Sequence, residues 1–172
     1  MADIKPVQQP SEGSAAEKPL PTLLSELGAN DVLLLVDDNE DDVLLATVAA
    51  QKSYPTLLVK TVQNGQEAIC YLAGQGIYAD RQLYPLPSLV LLDVRMPQKS
   101  GFEVLDWIRQ HSTLPSCIVV MFSGSHIPAD LLAASVKGAN SYLLKPTLYA
   151  EWVRLLQTTV YYWLKLHQAP PR

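Results

Sequence analysis

Apolar and polar positions alternate in blocks along this chain. Short apolar runs recur, and four of them end on a residue that can do chemistry. Val32–Val36 runs into Asp37 and Asp38, and Leu89 to Leu92 runs into Asp93. The run 118–122 meets Ser123, and Ser141–Leu144 meets Lys145. Runs of this length, rich in Leu and Val and bounded by turn residues, read as strands buried on both faces. A fifth run, 57–62, reads as a further strand.

Between these runs the period changes to that of helices. Val43, Leu44, Thr47 and Val48 fall on helical spacing within 40–51. Asn64 with Glu67 three residues on, and Ser100 with Glu103, read as capping signals that open the next two helices. The helix opened by Ser100 is predicted to end near His111. Pro128 suits a first helical turn and Gly138 a stop, which brackets a fourth helix. A last helix is predicted over 148–166, with Leu148, Trp152, Leu155, Thr159 and Trp163 as its core face. Val153, Val160, Tyr161 and Leu164 add a second apolar strip. A helix packed on a sheet needs only one such face, so the surplus is expected to meet a partner, a second copy of the chain, or the N-terminal segment. The stretch 74–87 reads as a long polar, proline-bearing loop. Five strands alternating with five helices predict a doubly wound α/β fold, a parallel sheet with right-handed crossovers and helices on both faces.

Composition sharpens this picture at the ends. Residues 1–29 carry four prolines amid Gln, Ser and Glu, and are predicted to be a disordered or loosely docked tail, with 20–27 as a short helical turn. One domain is expected over 30–167, followed by a C-terminal tail at 168–172. Thirteen basic against seventeen acidic side chains give a net charge of −4, which argues against nucleic-acid binding. No run reaches the ~18–20 apolar residues of a membrane span, and no secretory signal is present, so a cytoplasmic location is expected. Cys70 and Cys117 read as buried structural thiols, and His111, His126 and His167 lack ligand spacing.

In a doubly wound sheet, ligands bind beyond the carboxyl ends of the strands. Asp37, Asp38, Asp93, Ser123 and Lys145 all fall there. Crowded carboxylates repel one another, and an oxygen-only donor set selects a hard cation such as Mg²⁺. A lysine can grip a phosphoryl oxygen, a hydroxyl can hydrogen-bond it, and a carboxylate can act as nucleophile. Together these groups suit phosphoryl transfer onto aspartate. Glu40, Asp41 and Asp42 are explained as acids favoured at a helix N-terminus. The series Asp37-x-Asn39-x-Asp41 mimics the start of a calcium-binding loop, but Asp42 stands where such a loop needs glycine.

The acidic pair Asp37-Asp38, the LLLDVRMP stretch around Asp93, Ser123, Tyr142 and Lys145-Pro146 resemble the receiver domain of two-component response regulators. The likeness extends over about 31–166. It is similar above all to stand-alone receivers paired with bacterial phytochrome kinases, which share the start of the first helix, the long loop before the third strand and an aromatic last helix. The resemblance implies the flavodoxin-like strand order 2-1-3-4-5 and a phosphoacceptor signalling protein rather than an enzyme. Asp93 would accept the phosphoryl group from a histidine kinase, one of the phytochrome type being a candidate. Asp38 would be the chief Mg²⁺ ligand, helped by Asp37, Asp93 and the backbone carbonyl of Arg95. Lys145 would pair with the phosphoaspartate, Ser123 and Tyr142 would form the switch pair, and Lys145-Pro146 would be a cis peptide. The face made by the fourth helix, fifth strand and fifth helix would report the change through protein contact, with homodimerisation as one use. Two rivals stand beside this. A receiver-like interaction module would never take phosphate. A haloacid-dehalogenase-type phosphatase wants a second acid two residues after its nucleophile, where this chain has Arg95.

Overall fold

The computed structural model of the chain describes residues 31–111, 117–124 and 126–168. The expected tail at 1–29, its helical turn at 20–27 and residues 169–172 lie outside the described residues. Five strands, β1 (Val32–Val36), β2 (Leu58–Val62), β3 (Leu89–Asp93), β4 (Ile118–Ser123) and β5 (Ser141–Leu144), form one parallel sheet in the order β2-β1-β3-β4-β5. The helices are α1 (Glu40–Ser53), α2 (Gly65–Ala73), α3 (Gly101–Gln110), α4 (Pro128–Val136) and α5 (Tyr149–Tyr161).

Burial explains why the apolar runs read so clearly. Every residue of β1, β3 and β4 is buried, because helices cover both faces of the central strands. The edge strands β2 and β5 are only partly buried, and β2 accordingly mixes Lys60 and Thr61 into its sequence. Strand alternation splits the core into two layers. Leu34, Val36, Val90, Leu92, Val119 and Met121 face α2, α3 and α4. Leu33, Leu35, Leu91, Val120 and Phe122 face α1 and α5, where the Trp152 ring meets Phe122 edge-on at 5.2 Å. The Tyr54 hydroxyl donates to the Gln157 carbonyl at 2.7 Å and ties the end of α1 to α5.

Three details differ from the sequence expectation. The 74–87 stretch is built rather than plain: Gly76–Ala79 forms a 3₁₀ turn, and Tyr71, Tyr78 and Tyr84 pack ring to ring at 5.0–6.0 Å. The Arg81 guanidinium donates to the Tyr71 and Leu72 carbonyls, both at 2.8 Å, and so satisfies the end of α2. In the last helix Leu148 is the N-cap residue and is exposed, Leu156 is buried in the core, and the strip expected to be surplus is not free: Val160 is fully buried and Val153, Tyr161 and Leu164 pack against the same core. The helix also ends in a wider turn at Tyr162–Leu166, closed by the His167 N–H donating to the Tyr162 carbonyl at 2.8 Å. Finally, there is no cis peptide among the described residues, so Lys145-Pro146 is trans and that expectation is corrected. Trans is the lower-energy form of an X-Pro bond by ~0.5–1 kcal/mol, and the Lys145 side chain reaches the strand mouths from it.

The crossovers from β1 and β3 leave in opposite directions, since β1 pairs with both β2 and β3 while β3 goes on to β4. That reversal opens a crevice at the carboxyl ends of β1 and β3. Its floor depends on Gly101. The Gly101 N–H donates to the Val94 carbonyl at 3.1 Å, and a Cβ at this position would collide with the Asp93 carbonyl oxygen. Gly101→Ala must therefore push α3 away from β3. We expect it to cost about 2 kcal/mol or more, in line with overpacked sites, read as a lowered urea midpoint with an unchanged slope.

Candidate functional site

Each acidic residue at the crevice is set by its own stretch of backbone. Asp37 follows the last residue of β1, and its N–H donates to the Val62 carbonyl at 3.2 Å. Its Oδ1 accepts from the Asn39 N–H at 3.1 Å. Asn39 caps α1, accepting from the Asp41 and Asp42 N–H groups at 2.9 and 3.2 Å. Asp93 is the last residue of β3, and its Oδ2 accepts from the Arg95 N–H at 2.6 Å. The Ser100–Glu103 capping box then starts α3 as its sequence foretells, with the Ser100 N–H donating to Glu103 Oε2 at 2.9 Å.

Lys145 arrives from β5, where its N–H donates to the Ser123 carbonyl at 2.8 Å. Its Nζ lies 2.6 Å from Asp37 Oδ2, 2.8 Å from Asp93 Oδ1 and 3.0 Å from Asp42 Oδ2. The Lys145, Asp37 and Asp93 side chains are 11%, 8% and 7% exposed, against 24% for Asp42. Sequence reasoning missed Asp42 as a member of the site, because an acid in the first turn of a helix already has a sufficient explanation. Four elements thus meet at one ammonium.

The other expected residues are distributed around this centre. Ser123 is buried at the end of β4, next to Lys145 across the sheet edge. Tyr142 lies in register with Met121 and is half-buried. It lines a cavity of about 270 Å³ with His126, Ile127, Pro128, Leu131 and Leu144, which gives its ring space beside α4. Asp38 is exposed at the mouth, where its charge acts on Asp93. The Arg95 side chain turns away from the carboxylates to pair with Asp130 on α4 at 3.5 Å. Gln98, in the turn between Asp93 and α3, has φ of 65°, and the Lys99 N–H donates to the Pro97 carbonyl across it at 2.8 Å. Among the described residues, no three His, Cys or acidic side chains already converge as a ligand cage. Lys145 holds the centre instead.

The electrostatics follow from one ammonium serving several carboxylates. Burial pushes the Asp37 and Asp93 carboxyls above their usual range, and the bonds to Lys145 only partly offset it. Burial would lower Lys145, but its bonds to Asp37 and Asp93 outweigh this and hold it above the usual lysine range. The two directions have different dominant causes: burial prevails at the carboxylates, while the paired carboxylates prevail at the lysine. Far from this site, Cys117 is a buried free thiol raised to about 11 by burial, and Cys70 is free and half-buried.

Under-compensation has a consequence for stability. The raised Asp93 carboxyl binds its proton more tightly in the folded protein than in the unfolded chain. Its stabilising contribution is therefore present below the unfolded carboxylate range and is lost as pH rises through the folded one. At neutral pH, in a metal chelator, Asp93→Asn should be more stable than wild type, seen as a higher Tm. Thermal melts across a pH series should show that advantage shrinking on acidification; an advantage that grows would contradict the assignment.

Comparison with known proteins agrees with this geometry. Residues 33–157 match the response regulator receiver domain. FilR2 of Methanothrix harundinacea, a probable methanogenesis regulatory protein, is 32% identical over 142 residues, covering 81% of this chain and 87% of that one. Response regulator Rcp1 of Synechocystis sp. is 31% identical over 139 residues, covering 81% of this chain and 92% of its own. The crystal structure of the phosphorylated cyanobacterial phytochrome response regulator RcpA superposes with a TM-score of 0.76 at 31% identity, over 83% of this chain and 99% of that one. That of the Mn²⁺-bound form of Rcp1 does so with a TM-score of 0.72 at 30% identity, over 82% and 99%. The family match covers most of the chain, the strand order is the expected one, and the carboxylates and lysine stand at the strand mouths. The chain belongs to the response regulator receiver family of two-component signalling proteins.

Proposed function

We propose that this receiver accepts a phosphoryl group on Asp93 from a histidine kinase and signals through protein contact. The observation that carries the reading is the setting of Asp93. Its carboxylate is 7% exposed, sits at the end of a central strand, and has one oxygen on Lys145 and the other on the Arg95 N–H. Those two donors orient the carboxylate for attack on phosphorus and favour its ionised form against the burial that opposes it. Lys145 is charged and can bind a phosphoryl oxygen as negative charge grows there. Ser123, at the end of the next strand, supplies a hydroxyl at the same edge.

The donor set also fits a hard divalent cation. All the acidic groups offer oxygen, and the buried carboxylates remain short of positive charge. Asp38, Asp37, Asp93 and the Arg95 carbonyl would hold Mg²⁺, which would neutralise charge at the transferring phosphoryl group. The manganese-bound state of Rcp1 supports this expectation.

Signal output is assigned to the α4–β5–α5 face. Tyr142 borders a cavity there, and with Ser123 it forms the proposed switch. On α4, Leu131, Leu132 and Val136 are 54%, 67% and 79% exposed, an apolar surface suited to a partner or to a second copy in a homodimer. Phytochrome-linked relatives favour a phytochrome-type kinase as the phosphoryl donor. Among the described residues no helix is long and apolar enough to cross a membrane.

Acetyl phosphate with Mg²⁺, followed by intact mass measurement, tests the reading. One added phosphoryl group is expected on the wild type, with none on Asp93→Asn and none in excess chelator. A wild type that takes no adduct under any of these conditions would leave the phosphate-independent interaction module as the better account.

A further inference from the structure

Asp42 is the site member that the phosphoacceptor reading does not use. Its Oδ2 lies 3.0 Å from Lys145 Nζ, and that contact bridges the first turn of α1 to the end of β5. A lysine ammonium has three N–H donors. Here all three have carboxylate acceptors, on Asp37, Asp93 and Asp42. Phosphorylation would replace the single charge of the Asp93 carboxylate by an acyl phosphate carrying up to about two, with three strong acceptor oxygens beside that full ammonium. The donor now on Asp93 Oδ1 can pass to a phosphoryl oxygen, but a second bond from Lys145 to the phosphoryl group requires a further acceptor to yield.

The two carboxylates that remain, on Asp37 and Asp42, are not equivalent. Asp37 is nearly enclosed, and leaving it unpaired would strand a buried charge. Asp42 is the most exposed of the three, at 24%, and has somewhere to go. As the third residue of α1 it remains favoured by the helix N-terminus after it turns to solvent. The helix does not depend on its side chain either, because Asn39 caps both the Asp41 and Asp42 N–H groups.

We infer that Asp42 is a displaceable latch on Lys145: it holds the ammonium while Asp93 is bare, and gives it up to the phosphoryl group. This rests on the phosphoacceptor reading above. In the transfer itself an Asp93 oxygen attacks phosphorus while the bond from phosphorus to the donor breaks, and the electron pair leaves with the donor. Lys145 keeps its proton throughout and changes only its acceptor. Asp42 acts through Lys145 and is a positioning residue. Its release would also carry the event to α1, on the face of the sheet opposite α4.

The test uses the full chain, saturating Mg²⁺ and beryllofluoride as a phosphoryl mimic. Asp42→Asn removes the competing charge and should tighten beryllofluoride binding by at least about threefold, while Asp42→Glu, which keeps the charge, should stay within about twofold of wild type. In the wild type, the NMR resonance of the Asp42 side-chain carboxyl carbon should move on beryllofluoride addition as its bond to Lys145 breaks. This second measurement needs no variant to fold. Equal or weaker binding by Asp42→Asn, or an Asp42 carboxyl resonance that does not move while wild type binds, would overturn the latch alone. A wild type that binds no beryllofluoride would overturn the phosphoacceptor reading and the latch with it.

Discussion

One ammonium gathered by three carboxylates is the interaction on which the rest of the site depends. Lys145 comes from β5, Asp93 from β3, Asp37 from the end of β1 and Asp42 from α1. Lys145, Asp37 and Asp93 would not be tolerated singly at such low exposure. Held together, they close the carboxyl edge of the sheet across β1, β3 and β5. The bond from the Lys145 N–H to the Ser123 carbonyl places the hydroxyl-bearing strand end in the same frame.

The same arrangement leaves the site unbalanced by design of its geometry. Burial holds Asp37 and Asp93 above their usual range and the one cation they share only partly offsets it, while their carboxylates hold Lys145 above the usual lysine range. A further cation would relieve this strain, and a phosphoryl group would change which oxygen the lysine serves. Sites that must respond to a ligand are often less stable than they could be. Here the reserve lies in charge rather than in packing, since the apolar layers beneath the crevice are fully buried.

Much of this was legible in the chain. β1, β3 and β4 are covered by helices on both faces, so their apolar runs, and the residues that end them, stand out plainly. The capping pair Ser100–Glu103 is a local device and behaves as written. Less was legible where a residue's partner lies far along the chain. Asp42 has a sufficient local reason to be where it is, and its contact with Lys145 spans 103 positions. Arg81 and its tyrosine neighbours looked like polar loop because nothing in their order announces that the guanidinium will satisfy the end of α2. Leu148 misses the core because the helix begins after it, at Tyr149, while Leu156 and Val160, not assigned to the core face, are fully buried there.

The shared ammonium can be examined directly. In metal-free protein, the side-chain resonance of Lys145 should be followed by NMR while pH is raised until the surface lysines have lost their protons. Three carboxylate partners require Lys145 to stay protonated after the others have titrated. If Lys145 instead loses its proton together with the surface lysines or before them, the carboxylates do not hold it, and the account of the site fails at its centre.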